Sequence, residues 1–133
     1  MQRLNISGTL MRRDTPLCEF TIVNDVCTSF SRLCKDGQLF PYGCNPDTFD
    51  MYQRNLVIFF YDRTTPSTRI GIDEVCKNIG IGYYDMSKLI MFYYGASIQD
   101  PFWIRQAAGP QTWNELDKFL MERAMYYTRL LGK

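Results

Sequence analysis

Side chains able to move a proton, attack a carbon or hold a metal set what a small protein can do. In these 133 residues the most versatile of them, histidine, is absent. That removes the usual general base, the commonest metal ligand and the partner of every Ser-His or Cys-His nucleophile. The five cysteines, Cys18, Cys27, Cys34, Cys44 and Cys76, are odd in number and form no C-x-x-C pair. Without histidine they suit neither a zinc knuckle nor a fully paired disulfide framework, and they read as small buried thiols. Two acidic pairs, Asp47 with Asp50 and Asp73 with Glu74, have the composition of a glycosidase or Mg²⁺ site. Each falls in the expected first turn of a helix, where unsatisfied backbone N–H groups favour carboxylates without any chemistry. Gly80-x-Gly82 is half of a dinucleotide fingerprint, but it follows a helical pattern and lacks the third glycine. No P-loop, kinase catalytic loop or nucleophile elbow is present. The expectation is a non-enzymatic protein with no catalytic residue, cofactor or metal.

Charge narrows the binding partners. Fifteen Lys and Arg stand against fourteen Asp and Glu, a formal net charge of +1, unlike the basic excess of a duplex binder or the acidic excess of a nucleic-acid mimic. Arg12, Arg13 and Arg63, with exposed tyrosines, would suit a single strand through stacking. Nothing in their spacing forces them together, and solvated turn arginines are the alternative. Two short helices about Gly80 to Asp85 have the lengths of a helix-turn-helix, but the second, Asp85 to Tyr94, carries one cation, Lys88, where a recognition helix needs several polar and basic groups. Nucleic acid is therefore the second reading.

The elements that would position these residues change character near Cys44-Asn45-Pro46, within a length that favours one domain over 1–133. Residues 1–44 are β-rich: Ile6 to Met11 and Leu17 to Val23 flank the turn Arg12 to Pro16, and Val26 to Leu33 adds a third strand. Alternation turns Cys18, Phe20 and Ile22 to the core. Residues 45–133 are helical. Phe49, Tyr52, Leu56, Phe59 and Phe60 make one stripe from Asp47 to about Asp62. Ile72, Val75, Cys76 and Ile79 make another, stopped by Gly80. Asp85 caps a third helix that Gly95 stops, and Thr112 with Glu115 forms a capping box for the last. The fold class is α+β: an N-terminal antiparallel hairpin or small sheet, then about four helices. The N-terminus lacks an apolar leader core, and no apolar run approaches the roughly 20 residues of a membrane span, so a cytoplasmic protein is expected.

The last helix carries more apolar surface than one stripe needs. Trp113, Leu116, Leu120, Ala124, Tyr127 and Leu131 supply a core face, and Phe119, Met121, Met125, Tyr126 and Leu130 widen it. The excess is either an overfilled core or an interface. Phe119, Arg123, Tyr126 and Arg129 are of the types enriched at protein contacts and, with Leu130, are the expected partner-binding residues. The same arc would also allow a symmetric homodimer.

Three segments carry a resemblance. They are Leu10-Met11-Arg12-Arg13-Asp14-Thr15-Pro16-Leu17, then Tyr61 to Arg69 ahead of the helix about Ile72 to Ile79, and Tyr94-Gly95-Ala96-Ser97-Ile98-Gln99-Asp100-Pro101-Phe102-Trp103-Ile104-Arg105. With Thr112-Trp113-Asn114-Glu115-Leu116 they resemble the region preceding the kinase domain in HipA-like proteins of Firmicutes, in its stand-alone form without the kinase. The family's acidic tail is replaced here by Met121 to Lys133. The resemblance implies an interaction module of bacterial, phage or mobile-element origin that binds and modulates a HipA-like toxin kinase or a host-defence effector, as an anti-CRISPR-type inhibitor does. Asp100-Pro101 supplies a turn, and Phe102, Trp103 and Ile104 are expected to pin the helical hairpin onto the last helix, with Trp103 and Trp113 in the core.

Overall fold

A computed structural model describes residues 2–65, 67–97 and 99–130, with side chains up to residue 123. Its strands come first: β1 (Ile6–Arg12), β2 (Thr15–Val23) and β3 (Val26–Arg32). Helices α1 (Tyr52–Tyr61), α2 (Ile72–Asn78) and α3 (Met86–Phe92) follow, then β4 (Phe102–Arg105) and α4 (Trp113–Leu130). The four strands form one antiparallel sheet in the order β3-β2-β1-β4. The fold is α+β, as the patterning predicts.

The alternation that predicts a core face on β2 holds, with Cys18, Phe20 and Ile22 buried. They join Ile6, Leu10 and Ile104 from the neighbouring strands, Leu56, Val57 and Phe60 of α1, and Met86 and Ile90 of α3. Helix α2 packs on α3 through Ile72, Cys76 and Leu89. A smaller cluster joins Met11, Trp103 and Leu116 at the β1–β4 end, with Trp113 and Leu120 partly buried against it. Alternation along the β1–β4 ladder, where Leu10 pairs with Ile104 and Met11 with Trp103, puts this cluster on the other face of the sheet. The described side chains of α4 that join this cluster, Trp113, Leu116 and Leu120, cover its Met11–Trp103 corner. The same face also carries a shallow polar depression lined by Ser7, Thr9, Glu19, Thr21, Ser29 and Arg105.

Helix ends follow their signals. Asp85 accepts from the Lys88 N–H at 3.0 Å, and Thr112 Oγ1 accepts from the Glu115 N–H at 3.2 Å. Gly80, at φ 90°, provides the left-handed stop after α2. All five cysteines are free; Cys18, Cys44 and Cys76 are buried, while Cys27 and Cys34 are half-buried. Burial pushes the Cys18 and Cys44 thiols up to about 12, so they stay protonated and packed near neutral pH.

Two boundaries differ from expectation. Helix α1 starts at Tyr52 instead of Asp47, because Asn45 Oδ1 takes the Asp47 N–H at 2.9 Å and Arg32 Nη1 reaches Asp47 at 2.7 Å. The side-chain turn competes with the helix for those backbone groups. Asp47 therefore holds the end of β3 and does not sit in a first helical turn, whereas Asp73 and Glu74 do lie in the first turn of α2. The second difference is β4, a strand inside the half expected to be helical. Phe102, Trp103 and Ile104 are all buried, so the period-2 signal that marks a half-exposed strand is missing.

Two predictions follow from this packing. Trp103 is fully buried and donates from Nε1 to the Arg13 carbonyl at 2.7 Å; Trp103→Ala is expected to cost about 3–5 kcal/mol in urea unfolding. Asp25 ties the chain start to α1 by accepting from the Leu4 N–H at 2.6 Å and from the Tyr61 hydroxyl. Burial raises its pKa, but the Leu4 and Tyr61 hydrogen bonds and the Arg3 charge outweigh it, and the carboxyl titrates below its ordinary 3.8. The stabilisation is therefore complete above pH 3.8 and is lost as pH falls through the lower folded value. Acid titration of the unfolding free energy should show this loss in the wild type and a flatter profile in Asp25→Asn.

Candidate functional site

Arg63 stands just past the end of α1, where the chain would normally leave a solvated turn cation. Its side chain is only 6% exposed. Nη1 donates to the Gly95 carbonyl at 2.8 Å, Nη2 pairs with the Asp100 carboxylate, and the guanidinium lies 4.4 Å from the centre of the Phe59 ring. The buried Nε makes no hydrogen bond. Asp100 uses its other oxygen to accept the Phe102 N–H at 3.0 Å, which directs the chain into β4. A planar fork with fixed donors suits this junction better than an ammonium would.

The carbonyl that Arg63 holds belongs to a left-handed stop. Tyr94 and Gly95 have φ of 54° and 62°, and the Gly95 N–H returns to the Ile90 carbonyl at 2.9 Å, closing α3 in a Schellman-type turn. A Cβ on Gly95 would lie 2.7 Å from Ile104 Cδ1. The Tyr-Gly, Asp-Pro and Trp-Ile residues on which the resemblance rests are thus one structural junction.

Beside this junction lies a groove of about 480 Å³ lined by Pro41, Tyr42, Phe49, Ile58, Phe59 and Phe102, with Asn55 and Asp62 as polar members. Its floor is rigid. The Phe59 and Phe102 rings meet edge to face at 5.7 Å, and Arg12 sits 5.7 Å from the Phe102 ring centre. Tyr42 and Phe49 form a second edge-to-face pair at 5.7 Å. Asn55 Nδ2 donates to the Gly43 carbonyl at 2.8 Å and pins the 41–43 loop to α1. Tyr42 is 95% exposed and Ile58 50%, and Met51, nearby in sequence, is also exposed. The exposed apolar side chains around this groove make it the candidate contact surface.

The residues singled out by sequence fall in several places. Arg13 is exposed at the β1–β2 turn, whereas Arg12 is half-buried and donates to the Leu39 carbonyl at 3.3 Å. With Arg63 enclosed, Arg13 alone of the three stands in solvent. On α4, Phe119 meets Tyr94 edge to face at 6.0 Å. Arg123 lies 4.1 Å from the Phe92 ring centre, 5.0 Å from that of Tyr94 and 5.8 Å from that of Phe119, and it donates to the Phe92 carbonyl. Both are engaged by their own fold. The side chains of Tyr126, Arg129 and Leu130 lie outside the described residues. Tyr42, Met51 and Ile58 were not singled out from sequence. Ile58 falls off the stripe of α1, and that was the available signal.

Among the described residues no group of three or more His, Cys, Asp or Glu could hold a metal ion. No helix among them is long and apolar enough to cross a membrane. Comparison of the chain with known family models, curated proteins and solved structures gives no match.

Replacing Arg63 tests the junction. Arg63→Met is expected to cost about 3 kcal/mol, the low end for breaking a buried pair, because the one-third-exposed Asp100 regains water. Arg63→Lys should recover only part of that loss in the same denaturation measurement.

Proposed function

We propose that this chain is a non-enzymatic protein-docking module that works in the cytoplasm by covering a surface of a partner protein, with the Tyr42–Ile58 groove as its contact face. The observation carrying this reading is the exposed aromatic and aliphatic patch on a floor already fixed by ring pairs and the Asn55–Gly43 hydrogen bond. A pre-organised apolar face loses little side-chain entropy on binding, which is what lets a few residues dominate affinity. The resemblance to the pre-kinase region of HipA-like proteins supports a toxin-like kinase as partner, or a host-defence effector if the chain serves a phage or mobile element as an inhibitor. Nucleic-acid binding stays the weaker reading, because Arg12 and Arg63 are committed to the fold's own rings and carbonyls.

The test is a titration against a HipA-like kinase and, separately, a defence effector, read by calorimetry and by the partner's own activity. Tyr42→Ala and Ile58→Asp are expected to weaken binding about thirtyfold each, the scale of an interface hot spot, with unfolding curves unchanged. Affinity should vary little with salt. Binding to a single-stranded oligonucleotide that falls steeply with salt and is indifferent to both variants would move the assignment to nucleic acid.

A further inference from the structure

The groove beside the Arg63 junction offers more than apolar area. Its two edge-to-face ring pairs, Tyr42 with Phe49 and Phe59 with Phe102, stand beside polar groups that the fold leaves partly unused. Tyr42 is 95% exposed, so its hydroxyl stands in water. Asn55 gives one amide N–H to the Gly43 carbonyl and keeps a second. Asp62 is the only charged side chain in the lining. It is exposed and pairs with no cation among the described residues. The neighbouring Arg63 is already matched by Asp100, and Arg12 donates to the Leu39 carbonyl and does not line the groove. Asp62 also caps the C-terminal end of α1, whose last carbonyls add to the pull on a cation.

These groups select among the ways a surface takes up a peptide. An added strand needs an open sheet edge. The strand that reaches the groove is β4, through Phe102, and its edge is closed where the Ile104 N–H donates to the Tyr94 carbonyl at 2.7 Å. A helix would arrive with its backbone groups already satisfied and set apolar side chains against the Tyr42 and Asn55 donors. A polyproline II segment differs on both counts: its carbonyls are unpaired, its prolines carry no N–H, and it is extended before it binds, so little entropy is lost. Its carbonyls can accept from Tyr42 and Asn55 while its pyrrolidine rings pack on the aromatic side chains. Resting on the docking face proposed above, we infer that the groove binds an extended proline-rich segment of a partner protein, flanked by an arginine or lysine that pairs with Asp62.

The probe is an acetylated and amidated peptide of six prolines with an arginine at each end, titrated by calorimetry into the full chain. It should bind saturably, and Tyr42→Ala should weaken it on the order of tenfold with the unfolding curve unchanged. A peptide with alanines in place of the prolines should bind at least as much more weakly. Norleucine in place of both arginines should cost about threefold, the scale of an exposed ion pair, and Asp62→Asn should erase that difference. A proline peptide that does not bind, binds no better than its alanine counterpart, or ignores Tyr42→Ala overturns the proposal. Equal affinity for the arginine and norleucine peptides overturns the role of Asp62. If the proline peptide fails while Tyr42→Ala still weakens a folded partner, the extended ligand is wrong and the docking face stands; if Tyr42→Ala and Ile58→Asp leave both unaffected, the face falls with it.

Discussion

The enclosed guanidinium of Arg63 is the constraint on which the rest of the molecule hangs. A charge taken from water must find acceptors on the spot, and the acceptors it finds are the stop of α3 and the turn into β4. One side chain therefore fixes three segments, the end of α1, the reversal after α3 and the entry of the last strand. Stacking on Phe59 adds a desolvated cation–π contact to the same group. Because Phe59 and Phe102 also form the groove floor, the electrostatic junction and the apolar groove share two residues, Phe59 through its ring and Phe102 through its backbone N–H to Asp100.

That sharing explains how a small domain can keep aromatic side chains exposed without collapsing them inward. Tyr42 rests on Phe49, and the loop that carries it is held by Asn55. Neither can swing into the core, which is already filled by Phe20 stacked on Phe60 at 5.0 Å. The exposed rings are thus a consequence of a full interior and a pinned loop.

Much of this fold is legible in the residues. The first three strands follow from alternation and turn chemistry, and the capping box at Thr112 and Glu115 and the stops at Gly80 and Gly95 are local signals that act as their types demand. The hidden parts are those where tertiary contact overrides local pattern. The strand Phe102–Arg105 reads as an apolar anchor because it is covered on both faces. Arg63 reads as a solvated turn residue because its acceptors lie over thirty residues away in sequence. The groove escaped because it is assembled from a loop, the off-stripe side of α1 and β4, and no single segment announces it. On α4 the excess of apolar and aromatic types was visible, but not that Phe119 and Arg123 would turn onto Phe92 and Tyr94.

The late arrival of β4 bears on how the chain is made. Strands β1 to β3 meet through short turns and can associate as soon as they leave the ribosome, since local contacts close cheaply. The opposite edge of β1 must wait for partners some ninety residues further on. During that interval Leu10 and Met11 border an unpaired strand, the situation in which nascent chains attract one another or a chaperone. Synthesis past Trp103 therefore ends the period of greatest vulnerability, and variants that slow the docking of this last strand should lower yield before they lower the stability of the finished molecule.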